Sequence, residues 1–321
     1  MDILSILLIV FGLSLFEIIT SIDNAIINAE VLSGMSKKAQ RWFLVYGFFF
    51  AVVIVRGLLP FLIVFLTNPS LGPIGVMTAA FSNDPKIAEA IEATAPLLLL
   101  GGGVFLLFLF FNWLFLEPKN FGLRGERFFH AQGAWFFAIV SLLLTTIVWI
   151  ALKIDPNLAF AAVIGSTAFF IIHGFRQFAE SQEKKLLSGG MSDVSKIAYL
   201  EVLDSTFSID GVIGAFAFTF SIPLILLGNG LGALVLRKLT ISNIDRIKKY
   251  KYLKNGAMYS ILFLGSIMVL DSLGLHIPHW VSPVITFGTV GYFFYKSHIS
   301  IETIQETLEE APKKPIKSKK K

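Results

Sequence analysis

Long apolar runs separated by short polar connections fill nearly the whole chain. A spanning helix needs about 20 mostly apolar residues. Nine stretches qualify: 3–30, 42–67, 94–116, 131–152, 157–178, 197–220, 222–240, 255–272 and 279–297. The pattern predicts an all-α, polytopic membrane protein with about nine transmembrane helices. Composition agrees, since 55% of the 321 residues are hydrophobic and 15% charged. The mean hydropathy of +0.73 lies outside the range of soluble globular chains. The opening MDILSILLIVFGLSLF has neither a basic leader nor a small-residue cleavage pattern, and reads as a retained span.

Charge adds an orientation. All the lysines and arginines except Arg56, Lys86 and Lys153 fall in the tail, at Lys296 or in the connections after spans one, three, five and seven. By the positive-inside rule the amino terminus is outside and the carboxyl terminus cytoplasmic. The tail APKKPIKSKKK reads as a solvated segment that touches anionic lipid at most weakly. Cysteine is absent, which excludes disulfides and thiolate metal sites.

Two of the spans are interrupted by polar residues in a shared order. Residues 16–30 read FEIITSIDNAIINAE and residues 201–219 read EVLDSTFSIDGVIGAFAFT. Setting Asp23 over Asp210 aligns Glu17 with Asp204 and Ser21 with Ser208, an acid-x-x-x-Ser-Ile-Asp pattern in each. Each copy precedes a span with one arginine, Arg56 or Arg237, and then a glycine-bearing span. This predicts a first three-helix unit over 1–116, a cytoplasmic loop and two connecting helices over 117–180, and a second unit over 181–272. A final helix over 273–300 and the lysine-rich tail over 301–321 follow. Five crossings separate the starts of the two units, so the second is inverted. In inverted repeats the substrate site lies near the bilayer midplane, between corresponding helices.

A charge at the bilayer centre costs about 2.5–3.5 kcal/mol on the gentlest scale, so four unpaired carboxylates would cost roughly 10–14 kcal/mol. Glu17, Asp23, Asp204 and Asp210 therefore need protons, arginine or a bound cation. Residues six apart on an ideal helix differ by about 9 Å in height and about 120° in azimuth, so one intact helix cannot close both of its acids on one ion. Unwinding near Ser21–Asn24, or a shell shared between the units, would solve this. Ser21 shares a face with Glu17, as Ser208 does with Asp204, and Asn24 and Asn28 add amide oxygens. An all-oxygen shell suits a hard divalent ion, Mn2+, Ca2+ or Mg2+. Arg56 is the expected counter-charge, and Arg237 either joins it or snorkels to the interface. Glu30 and Glu201 read as interfacial. His173 is either a packing residue or part of a proton path.

The two motifs resemble those of the TerC family of bacterial membrane proteins, named for tellurium resistance and placed near the LysE-type exporters. The first family motif, approximately Glu-x-x-x-Ser-x-Asp-Asn, is matched by Glu17, Ser21, Asp23 and Asn24. The second is matched by Asp204, Phe207, Ser208, Asp210 and Thr219, while Gly211 stands where relatives have a hydroxyl or amide. The resemblance implies metal ion transport in a bacterial cytoplasmic (inner) membrane, most often manganese efflux, with the matched acids as metal ligands. The expected function is thus a proton-coupled exporter of a divalent cation, and not an enzyme. The expected partners are the metal ion, the lipid bilayer and a second copy of the chain, with no nucleic acid. Two other classes stand beside it: a membrane-embedded metal-dependent enzyme, for which no His-Glu-x-x-His or Gly-x-Ser-x-Gly exists, and a non-transporting metal-handling scaffold in stress response.

Overall fold

A computed structural model describes residues 2–47, 49–50, 56–67, 69, 72–79, 85–187 and 192–310, with the backbone alone at some helical positions, Asp23 and Phe207 among them. The described residues are helical and contain no strand. The elements are α1 (Ile3–Thr20), α2 (Ile22–Ser33), α3 (Lys37–Trp42) running into a π-helical turn (Phe43–Gly47), α4 (Arg56–Thr67), α5 (Gly72–Ala79) and α6 (Pro85–Phe115). They continue with α7 (Glu126–Ala131), α8 (Trp135–Ala151), α9 (Pro156–Leu187), α10 (Asp193–Ala215), α11 (Ile222–Lys248), α12 (Leu253–Leu270) and α13 (Val281–Glu310).

Local chemistry sets the boundaries that matter for the site. The first apolar stretch is two helices, because Ser21 leaves the helical region with φ −96° and ψ 3°. Thr, Ser, Asp and Asn compete for backbone hydrogen bonds and weaken a helix interior. The stretch Thr20–Asn24 concentrates them, and Thr20 donates back to the carbonyl of Phe16 at 2.8 Å. By contrast α10 runs unbroken through Asp204, Ser208 and Asp210. It ends at Ala215, and the Thr219 hydroxyl accepts the Ser221 amide at 3.1 Å just before α11.

The core forms where α1 packs on α11, and where α6 packs on α9 and on α12. Glycines set the spacing. A side chain on Gly165 would collide with the backbone carbonyl of Gly101, and one on Gly103 would lie 2.9 Å from the carbonyl of Gly265. Small residues let backbones approach closely in this way. On the other side of the molecule, Gly228 and Gly232 of α11 receive Leu13, Ser14 and Glu17 of α1, whereas Gly230 faces open space. Phe105, Phe108, Phe136 and Phe169 fill the interior between α6, α8 and α9, with rings mostly edge to face.

Among the described residues four helical segments are long and apolar enough to cross a membrane: Ile3–Thr20, Ala93–Phe115, Pro156–Phe178 and Leu253–Leu275. Outward faces carry Phe137, Leu142, Phe160, Ile171 and Phe175, all well exposed. Exposed apolar side chains in this number are compatible with contact to lipid. The shorter α8 has exposed Trp135 and Trp149 near its two ends, with the Lys153 ammonium 3.5 Å from the centre of the Trp149 ring, the arrangement of interfacial anchors.

Gly165→Ala places a methyl against backbone that cannot rotate away, and should cost about 1–3 kcal/mol. Gly288 lies inside α13 with open space around it, so Gly288→Ala should cost nothing and add about 0.5–1 kcal/mol. Thermal unfolding of the two variants in detergent checks the contrast.

Candidate functional site

The break at Ser21 turns the end of α1 into a polar corner. Glu17, in the last turn of α1, is 1% exposed, and its Oε1 accepts the Ser21 hydroxyl at 2.8 Å. Arg56 opens α4 and lies 2.8 Å from the same Oε1 and 3.9 Å from Oδ1 of Asp204 on α10. Asn24 on α2 donates its amide to that same Asp204 oxygen. Four separate helices thus bring Glu17, Ser21, Asn24, Arg56 and Asp204 together.

A cavity of about 80 Å3 opens beside this cluster, lined by Ser21, Asn24, Asn28, Arg56, Asp204 and Arg237, with Phe43, Leu44 and Gly47 on its wall. That volume holds several waters or a partly hydrated ion. Two oxygen acceptors and one donor nitrogen, Nε of Arg56, in its lining have no hydrogen-bond partner among the described residues. The side-chain oxygens of Asn24 and Asn28 are buried and have no hydrogen-bond partner among the described residues. Asn24 is only 2% exposed. Buried polar atoms are normally paired, so these two await a donor or a cation.

Gly211 also belongs here. A Cβ at this position would lie 2.9 Å from Oε2 of Glu17, so the absent side chain is the space that the Glu17 carboxylate fills.

Other residues of the two motifs go elsewhere. Ser208 is buried but donates to the carbonyl of Asp204 at 2.6 Å, within its own helix. Asp210 lies on a different face of α10 from Asp204, as six residues of unbroken helix require. Its Oδ2 is 2.6 Å from the guanidinium of Arg176 on α9. It borders a second, larger cavity of about 480 Å3 with Glu117, Lys119, Asn120, Lys254 and Asn255. Lys254 pairs with Glu117 at 2.9 Å. The Lys119 ammonium donates to the carbonyls of Trp113 and Leu114 at 2.6 Å, closing the end of α6. Burial brings its pKa down to about 8. The Asp23 side chain lies outside those described. His173 stacks on Phe169 with ring centres 5.5 Å apart, and Gln177 approaches its Nε2 at 3.0 Å.

Among the described residues no three or more of His, Cys, Asp and Glu gather closely enough to hold a metal ion. A guanidinium lies between Glu17 and Asp204, and amides and a hydroxyl complete the group. Sequence reasoning missed the Arg176–Asp210 pair and the Glu117–Lys254 pair. Arg176 and Lys254 sit at polar ends of apolar stretches, where they read as loop charges.

No curated protein and no solved structure matches the chain. The family model described as "Protein of unknown function (DUF475)" matches residues 22–303. That match takes in most of the chain, including α10 and most of the lining of the small cavity, and the protein belongs to this family.

Proposed function

We propose that the chain is a secondary transporter that exports a hard divalent cation, Mn2+ above the others, through the small cavity, with protons exchanged at its carboxylates. The observation that carries this is the set of buried, unpartnered side-chain oxygens of Asn24 and Asn28 facing the same cavity as Asp204. Oxygen-only donors suit Mn2+, Ca2+ or Mg2+. The likeness of the two motifs to TerC proteins favours Mn2+, and extends here to the inverted repeat of two three-helix units within about nine spans. In that arrangement α1 and α2 come from the first unit and α10 from the second, so the cavity lies where the units meet.

Arg56 gives the cycle its empty state. A carrier that returns without cargo cannot drag bare carboxylates through a low-dielectric interior. The guanidinium between Glu17 and Asp204 takes the place that a cation would hold. Cation arrival displaces it, and Ser21, Asn24 and Asn28 then contribute neutral oxygens beside the two carboxylates. Asp210, paired with Arg176 around the helix, stands outside this shell.

Mn2+ flux into inverted vesicles should fall at least about tenfold in Asp204→Asn and in Glu17→Gln, within the range for loss of a group that orients or binds a metal. Unchanged flux in both variants refutes transport through this site. Arg56→Gln leaves two carboxylates without their buried partner and should cost about 3–5 kcal/mol in the metal-free protein. Saturating Mn2+ should restore much of that stability, since ligand at 100 times Kd contributes about 2.7 kcal/mol. Thermal unfolding with and without Mn2+ measures both effects.

A further inference from the structure

Glu201 has no role in the shell just described, yet it is the carboxylate nearest to that shell along α10. It lies three residues before Asp204, one turn and about 4.5 Å away along the axis. It stands closer to the beginning of the helix, Asp193. Both of its carboxylate oxygens are buried without a hydrogen-bond partner among the described residues. On one side lies an outer groove walled by Trp42, Tyr46, Phe49, Phe50 and Leu59, which supplies apolar surface. On the other is Gly47, in the π-helical turn, where any side chain would collide with Oε1 of Glu201. Gly47 also lines the small cavity that holds Asn28 and Asp204. The carboxylate therefore sits at the boundary between the groove and the cavity, in space that only a glycine leaves open.

A carboxylate whose two oxygens are both unpaired and out of water is expensive to keep, and the hydroxyls of Ser205 and Thr206 in the groove donate to the backbone of their own helix instead. A cation passing into or out of the small cavity is the partner that this position can serve. We propose that Glu201 is a relay ligand for the divalent cation, a handhold between the end of the molecule where α10 begins and the Asp204 shell. Gly47 is the residue that gives it room. This rests on the cation-transport reading of the small cavity and adds a second, transient position to it. Removing the relay takes away attraction along the path, so cation association slows.

The test uses the purified full-length chain and Mn2+ itself. Equilibrium dialysis gives Kd, and stopped-flow with a Mn2+-sensitive dye gives the association and dissociation rates. In Glu201→Gln the association rate should fall about tenfold, the lower end of what a guiding charge contributes, with Kd weakened by no more than that factor. Gly47→Ala, which pushes the carboxylate out of place, should do the same, and Glu201→Asp should recover most of the rate. Unchanged rates in Glu201→Gln overturn the relay and leave the transport reading standing. A weakened Kd with unchanged rate of association also overturns it, because that marks a ligand or structural role at the main shell. Absence of Mn2+ binding to the native chain overturns both readings together, and Asp204→Asn, expected to abolish binding, locates the main shell independently.

Discussion

A carboxylate buried among apolar helices must have its charge answered, and the centre of this molecule is arranged around that requirement. Glu17 and Asp204 come from distant parts of the chain, and Arg56 reaches toward both from the first turn of α4. Removing the guanidinium would leave two carboxylates without compensation in a region that cannot solvate them. The corner at Ser21, the bare position at Gly211 and the close seat of Gly232 against Glu17 all serve to let these groups meet.

The unbroken course of α10 divides the polar interior in two. Asp204 looks into the small cavity with Asn24 and Arg56, and Asp210 into the larger one with Arg176. A single helix carrying two acids six residues apart works as a partition with one charged group on each side. Asp204 shares Arg56 with Glu17 and Asp210 pairs with Arg176, so each compartment has an arginine from a different helix.

Much of this was open to reading along the chain, because apolar runs of spanning length leave few alternatives to helices in lipid. The disruption near Ser21 was legible in the crowd of short polar side chains there, and Arg56 stood out as a charge within an apolar run. What could not be read was rotation about the helix axes. Ser21 and Ser208 occupy equivalent places in the two motifs, yet one bonds a carboxylate across a broken helix and the other its own backbone in an intact one. Arg176 gave no sign of its partner, since the pairing depends on how α9 and α10 face each other. The close approach of Glu17 to Gly211 also appears only when the two helices are placed side by side.

The cluster of two acids and one base also has an arithmetic of valence. With both carboxylates ionised and the guanidinium in place, one negative charge is left outstanding. A singly charged ion such as Na+ or K+ would settle that balance and leave the arginine where it is. A doubly charged ion brings one positive charge too many unless the arginine departs. On the proposed reading, only the second kind of visitor forces the side chain to swing, so the abundant monovalent ions can sit beside the guanidinium without triggering the movement that carries cargo across.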